Sequence, residues 1–67
     1  MATQEQIDRQ FIVIDLPNGR YGVVDVTNGK RVGFCYSNPP LYRDDEWGNL
    51  YSARGFCQKL YVKVCGS

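Results

Sequence analysis

Residues 11–36 read FIVIDLPNGRYGVVDVTNGKRVGFCY, and two Asn-Gly pairs, Asn18-Gly19 and Asn28-Gly29, cut this stretch into three short runs rich in β-branched and aromatic residues. Asn-Gly suits the two-residue type I′ hairpin turn, in which both central residues need a positive φ. The stretch therefore predicts a three-stranded antiparallel meander. With each pair at the turn centre, Leu16 opposes Tyr21, Ile14 opposes Val23 and Ile12 opposes Asp25. Across the second turn, Asp25 opposes Val32, Val23 opposes Phe34 and Tyr21 opposes Tyr36.

Side chains alternate across a strand, so this pairing sorts the sheet into two faces. One carries Ile12, Ile14, Leu16, Tyr21, Val23, Val32, Phe34 and Tyr36, with Asp25 as its only charge, and is the expected core face. The other carries Phe11, Val13, Val24, Val26 and Cys35 among Asp15, Arg31, Gly22 and Gly33. It is too apolar to be left wholly to water, so it is expected to meet the N-terminal segment or a second copy through Phe11, Val13, Val24 and Val26.

The flanks are helical in pattern. Thr3-Gln4-Glu5-Gln6 fits a capping box, which predicts a short helix over residues 4–10 docked through Ile7, within an N-terminal arm of residues 1–10. Ala53, Phe56, Cys57, Leu60, Tyr61 and Val64 form an amphipathic stripe, which predicts a helix over 52–65 capped by Ser52 and ended by Gly66. A fourth strand at 61–64 is the competing reading, because Tyr61-Val62-Lys63-Val64 alternates. Residues 37–51 show no period and read as a long loop; loops of that length are usually functional or disordered, and five large apolar or aromatic side chains argue against disorder. The fold class is α+β: a small meander packed on a C-terminal helix, as one domain over 1–67. The order helix, three strands, helix resembles the double-stranded-RNA-binding fold, although only Arg54 stands for the basic residues opening that family's second helix, and no site carries over.

Composition narrows function. A chain of 67 residues folds alone but supplies a core worth only about 3–5 kcal/mol. Eight basic and seven acidic residues give a net charge of +1, which lacks the dense basic face of a duplex-DNA binder. The three cysteines, Cys35, Cys57 and Cys65, are odd in number, and the start at Met1-Ala2-Thr3-Gln4 has no signal-peptide pattern, so reduced thiols and a cytoplasmic location are expected. With no histidine, neither a zinc site nor an activated cysteine nucleophile is supported; no cofactor, metal or enzymatic activity is expected.

The candidate site is the loop. Leu41, Tyr42, Arg43, Trp47 and Tyr51 crowd beside the acidic run Asp44-Asp45-Glu46, and large aromatics with an arginine are the residue types enriched at interface hot spots. The plainer reading folds Trp47 and Leu50 back over one end of the sheet. The acidic run could also imitate nucleic-acid phosphates, though three charges are few. Pro39-Pro40-Leu41-Tyr42 matches the PPxY pattern and so resembles the ligands of WW domains. The expected function is a non-enzymatic protein-binding module of the kind found among phage and mobile-element accessory proteins that inhibit or modulate a host protein, acting in the host cytoplasm. That expectation is analogy from size and architecture. The alternative is weak single-stranded nucleic-acid binding by Tyr21, Phe34 and Tyr36 with Arg20, Lys30, Arg31, Lys59 and Lys63.

Overall fold

A computed structural model describes residues 2–66; Met1, at the start of the expected arm, lies outside the described residues. The elements run α1 (Gln4–Asp8), β1 (Phe11–Asp15), β2 (Tyr21–Asp25), β3 (Lys30–Arg31) and α2 (Leu50–Cys65). The sheet is antiparallel in the order β1-β2-β3 and packs against α2, which gives the expected α+β fold.

The capping box forms as expected. Gln6 N donates to Thr3 Oγ1 at 3.2 Å and Thr3 N donates to Gln6 Oε1 at 2.9 Å. The helix ends at Asp8 because Arg9 and Gln10 turn the chain into β1, with Ile7 buried. At α2, Asn49 rather than Ser52 is the N-cap: its Oδ1 accepts Ser52 N at 2.8 Å, so the helix starts two residues earlier than expected. Gly66 closes it at φ 70°, and residues 61–64 are helical, not a fourth strand.

The first hairpin departs from the expected register. Phe11 pairs with Asp25, Val13 with Val23 and Asp15 with Tyr21, a slip of one residue. Leu16 N donates to Arg20 O at 2.9 Å, so Pro17, Asn18 and Gly19 form a three-residue loop. Proline at fixed negative φ suits the second position of a type I turn, and only Gly19, at φ 82°, takes the left-handed conformation. A slip of one reverses every side chain of the strand. Phe11, fully buried, and half-buried Val13 therefore face α2, whereas Ile12, Ile14 and Leu16 leave the expected core face. The proposed dimer face of Phe11, Val13, Val24 and Val26 is thus not a single surface.

The second hairpin slips by two. Asp25 pairs with Lys30 and Val24 with Arg31, leaving a four-residue loop, Val26 to Gly29. An even slip keeps the faces, and Val32 stays in the core beside Val23. The third strand does not run on to Tyr36. Trp47 takes its place beside Tyr21, with Tyr21 N donating to Trp47 O at 2.9 Å and Trp47 N to Tyr21 O at 2.7 Å.

The core joins Ile7, Phe11, Val23, Val32, Trp47, Ala53, Phe56, Cys57 and Leu60. On the reverse face the Arg31 guanidinium lies over Gly22 so closely that a Cβ there would stand 2.8 Å from Nε. No helix among the described residues is long and apolar enough to cross a membrane.

Candidate functional site

The connection from Gly33 to Asn49 returns along β3. Gly33 N donates to Leu41 O at 2.6 Å, Arg43 N to Arg31 O at 3.1 Å, and the Trp47 bridge completes the path. The aperiodic stretch is ordered by pairing with the sheet, which no periodicity in its own sequence announces. Its Asn38-Pro39 peptide is cis.

This path divides the expected binding residues. Trp47, at 6% exposure, is core and packs at a tilt against Phe56 with centroids 5.0 Å apart. Tyr51 is 88% exposed but belongs to α2. Leu41 and Tyr42 are about two-fifths exposed. The Tyr42 ring lies under Lys30 Nζ, 5.7 Å from its centroid.

The acidic run is not a free negative patch. Asp45 accepts from Arg43 Nε and Nη2, each at 2.7 Å, and from Phe34 N at 2.7 Å. These contacts lower its pKa to about 2, with the Arg43 hydrogen bonds first and the Phe34 N–H second. The Arg43 guanidinium is raised in turn, chiefly by the same pair. Glu46 accepts from Asn18 Nδ2 at 3.0 Å and pairs with Arg20 Nε at 3.2 Å. Asp44 is exposed. Two of the three acids hold this connection and the first hairpin in place.

Asp25, the one charge expected among apolar neighbours, is 2% exposed and fully engaged. Its Oδ1 accepts from Gln10 Nε2 at 3.1 Å, Thr27 N at 3.0 Å and Thr27 Oγ1 at 2.6 Å, and its Oδ2 accepts from Tyr42 Oη at 2.8 Å. Donors on both oxygens make the burial tolerable. The Asp25 carboxylate in turn raises the Tyr42 pKa above its ordinary value, helped by burial. The PPxY tyrosine is therefore held by its own domain.

Two residues that the core assignment had hidden emerge as surface. Phe34, at 57% exposure, and Tyr36, at 41%, lie against Phe56 at centroid distances of 5.4 and 5.3 Å and against each other at 5.6 Å. They rest on the core without being enclosed by it. The expected stacking aromatics are thus partly presented, but Tyr21 is half-buried and the basic residues are dispersed. Arg20 is paired with Glu46, and Arg31 Nη2 donates to Asp45 O at 2.9 Å while its buried Nε has no partner among the described residues. Lys59 and Lys63 are exposed on α2, three and seven residues beyond Phe56.

Burial pushes the Cys57 thiol up to about 12, with nearby Asp8 adding to the effect, so this cysteine is a core group rather than a nucleophile. Cys35 is half-buried and Cys65 exposed, both as free thiols. Among the described residues, no group of three or more His, Cys, Asp or Glu could hold a metal ion. No family model matches the chain, and no match was found among curated proteins or solved structures.

Proposed function

We propose that this chain is a non-enzymatic protein-binding module whose contact surface is the aromatic flank of the Gly33–Asn49 connection: Phe34, Tyr36, Leu41 and Tyr42. The observation that carries this reading is their exposure, between 39 and 57%, on one connection hydrogen-bonded to the sheet. Apolar and aromatic side chains held at the surface on a fixed backbone lose little entropy on docking. Arg43 and Asp44 supply a polar rim, whereas Trp47 and Asp45 support the surface from behind. A target inside a host cell, as for phage or mobile-element accessory proteins, suits the size and near-neutral charge by analogy alone.

The test is recovery of tagged protein from lysate, with and without nuclease, comparing the native chain with a Phe34→Ser, Leu41→Ser variant whose fold is confirmed by circular dichroism. Nuclease-resistant recovery of one protein, lost in the variant, supports the reading. Recovery that vanishes with nuclease and survives the variant, but is lost in Lys59→Ala, Lys63→Ala, transfers the function to single-stranded nucleic acid.

A further inference from the structure

The two edges of the sheet are treated differently. Beyond β3 the edge is closed by the chain's own return segment, through the Arg31, Gly33 and Tyr21 contacts given above. Among the described residues, the outer edge of β1 has no such cover. Val26 N donates to Gln10 O and Leu16 N to Arg20 O, so even-numbered residues of β1 bond to β2. By antiparallel alternation the N–H and C=O groups of Val13 and Asp15 then point away from the sheet. Phe11, also outward in this alternation, is completely buried, so the accessible edge begins at Val13.

Directly beside this edge lies a cleft of about 310 Å³ between α1, β1 and α2. Ile12, Val13 and Leu50 give it apolar walls over the buried Phe11 and Cys57, Gln4 and Asp8 stand on the α1 side and Arg54 on the α2 side. Asp15 shares the face of Val13 at the other end of the strand and is exposed. An outward pair of backbone groups accepts only extended chain, and an adjoining apolar cleft accepts a side chain from alternate positions of that chain.

We propose that the outer edge of β1 and this cleft form a β-augmentation site for an extended segment of another protein with a basic–apolar–basic alternation. The apolar residue opposes Val13 and fills the cleft, where the charge of Arg54 disfavours a second cation. One flanking basic residue stands beside Asp8, past the buried end of the edge at Phe11, and the other opposite Asp15. The intervening side chains fall beside Ile12 and Ile14 on the reverse face. This surface is separate from the aromatic flank, and neither reading depends on the other.

The probe is the peptide acetyl-Thr-Lys-Val-Leu-Val-Lys-Thr-amide, titrated into the isotope-labelled full chain and followed by amide shifts and hydrogen exchange. Saturable changes with new protection at the Val13 and Asp15 amides, while Ile12 and Ile14 stay protected throughout, are expected. N-methylation of the probe leucine removes its bond to the Val13 carbonyl without touching the protein and should abolish those changes. Exchanging both probe lysines for glutamate should weaken binding, and Asp15→Asn should weaken the original probe roughly two- to fivefold. Absence of saturation at these amides, equal binding of the N-methylated or acidic probe, or changes confined to Phe34 and Tyr36 would overturn the assignment. Concentration-dependent protection of Val13 and Asp15 without peptide would overturn it too, making a second copy the occupant.

Discussion

The first hairpin closes Leu16 on Arg20 around three residues, and the second closes Asp25 on Lys30 around four. Both contain Asn-Gly, and both use it alike: glycine alone takes positive φ, and the asparagine Oδ1 accepts the backbone N–H two residues on, from Arg20 and from Lys30. In each case a neighbour has been drawn into the loop. Pro17 enters the first because its fixed φ suits a type I turn and its missing N–H cannot serve the ladder. Val26 and Thr27 enter the second because the Asp25 carboxylate caps Thr27. One added residue reverses β1, whereas two leave β3 facing the same way. The residues flanking a turn signal therefore decide the core, through parity.

The reversed strand carries the largest expected effect. Phe11→Ala should lower unfolding free energy by about 3–5 kcal/mol, while Ile12→Ala, at a site already 36% exposed, should lower it by less than about 1 kcal/mol. The two-residue register would give the opposite ranking. Urea unfolding of the two variants decides between them.

The second loop is tested through its carboxylate. Asp25→Ala removes the acceptor for Gln10, Thr27 and Tyr42 and should destabilise by about 2–4 kcal/mol, enough to leave much of so small a domain unfolded. Tyr42→Phe, which removes one donor of this set, should cost about 1 kcal/mol by the same measurement. A double-mutant cycle between the two sites should show coupling, since Tyr42 Oη donates directly to Asp25 Oδ2.

Deleting Pro17 sharpens the first loop. Leu16 would still close on Arg20, with Asn18-Gly19 now free to form the two-residue type I′ turn that its sequence favours. The expected change in stability is within about 1 kcal/mol, and nuclear Overhauser contacts should keep Val13 opposite Val23. A shift of β1 to the even-residue face would show that the register is set elsewhere.

These outcomes bear on what the sequence could disclose. Both helices, the meander order, the Ala53–Phe56–Cys57–Leu60 stripe and the Thr3–Gln6 box were legible because they rest on local spacing. The face of β1 was not, because Phe11-Ile12-Val13-Ile14 is apolar at every position and carries no alternation to fix its register. The expected hot spot split for a related reason. Trp47 and Tyr42 are equally plausible as anchor or core by residue type, and only the pairing of Trp47 with Tyr21 and of Tyr42 with Asp25 separates them. Phe34 and Tyr36 leave the expected core face because Gly33 and the returning Leu41 end the third strand after Arg31.

The smallest expected effect concerns the segment leaving the second hairpin, which Asp45 holds through Phe34 N and Arg43. Its carboxyl titrates at about 2 in the fold against an ordinary 3.8. A depressed carboxylate contributes stability that is present above its unfolded value and is lost as pH falls through the folded one. The contribution should therefore be complete above pH about 4 and fade between about 4 and 2. Because this group is only partly buried and solvent screens it, the effect on melting temperature should be small and best read as a difference. The native chain should melt above Asp45→Asn at pH 6, and the gap should close toward pH 2 as other carboxyls, common to both chains, cancel. A gap that stays constant would mean that Asp45 acts through shape rather than charge. The acceptor geometry of Asp45 toward Phe34 N would then hold the segment without the charge of the Arg43 pair, beside the packing of Phe34 on Tyr36, Trp47 and Phe56.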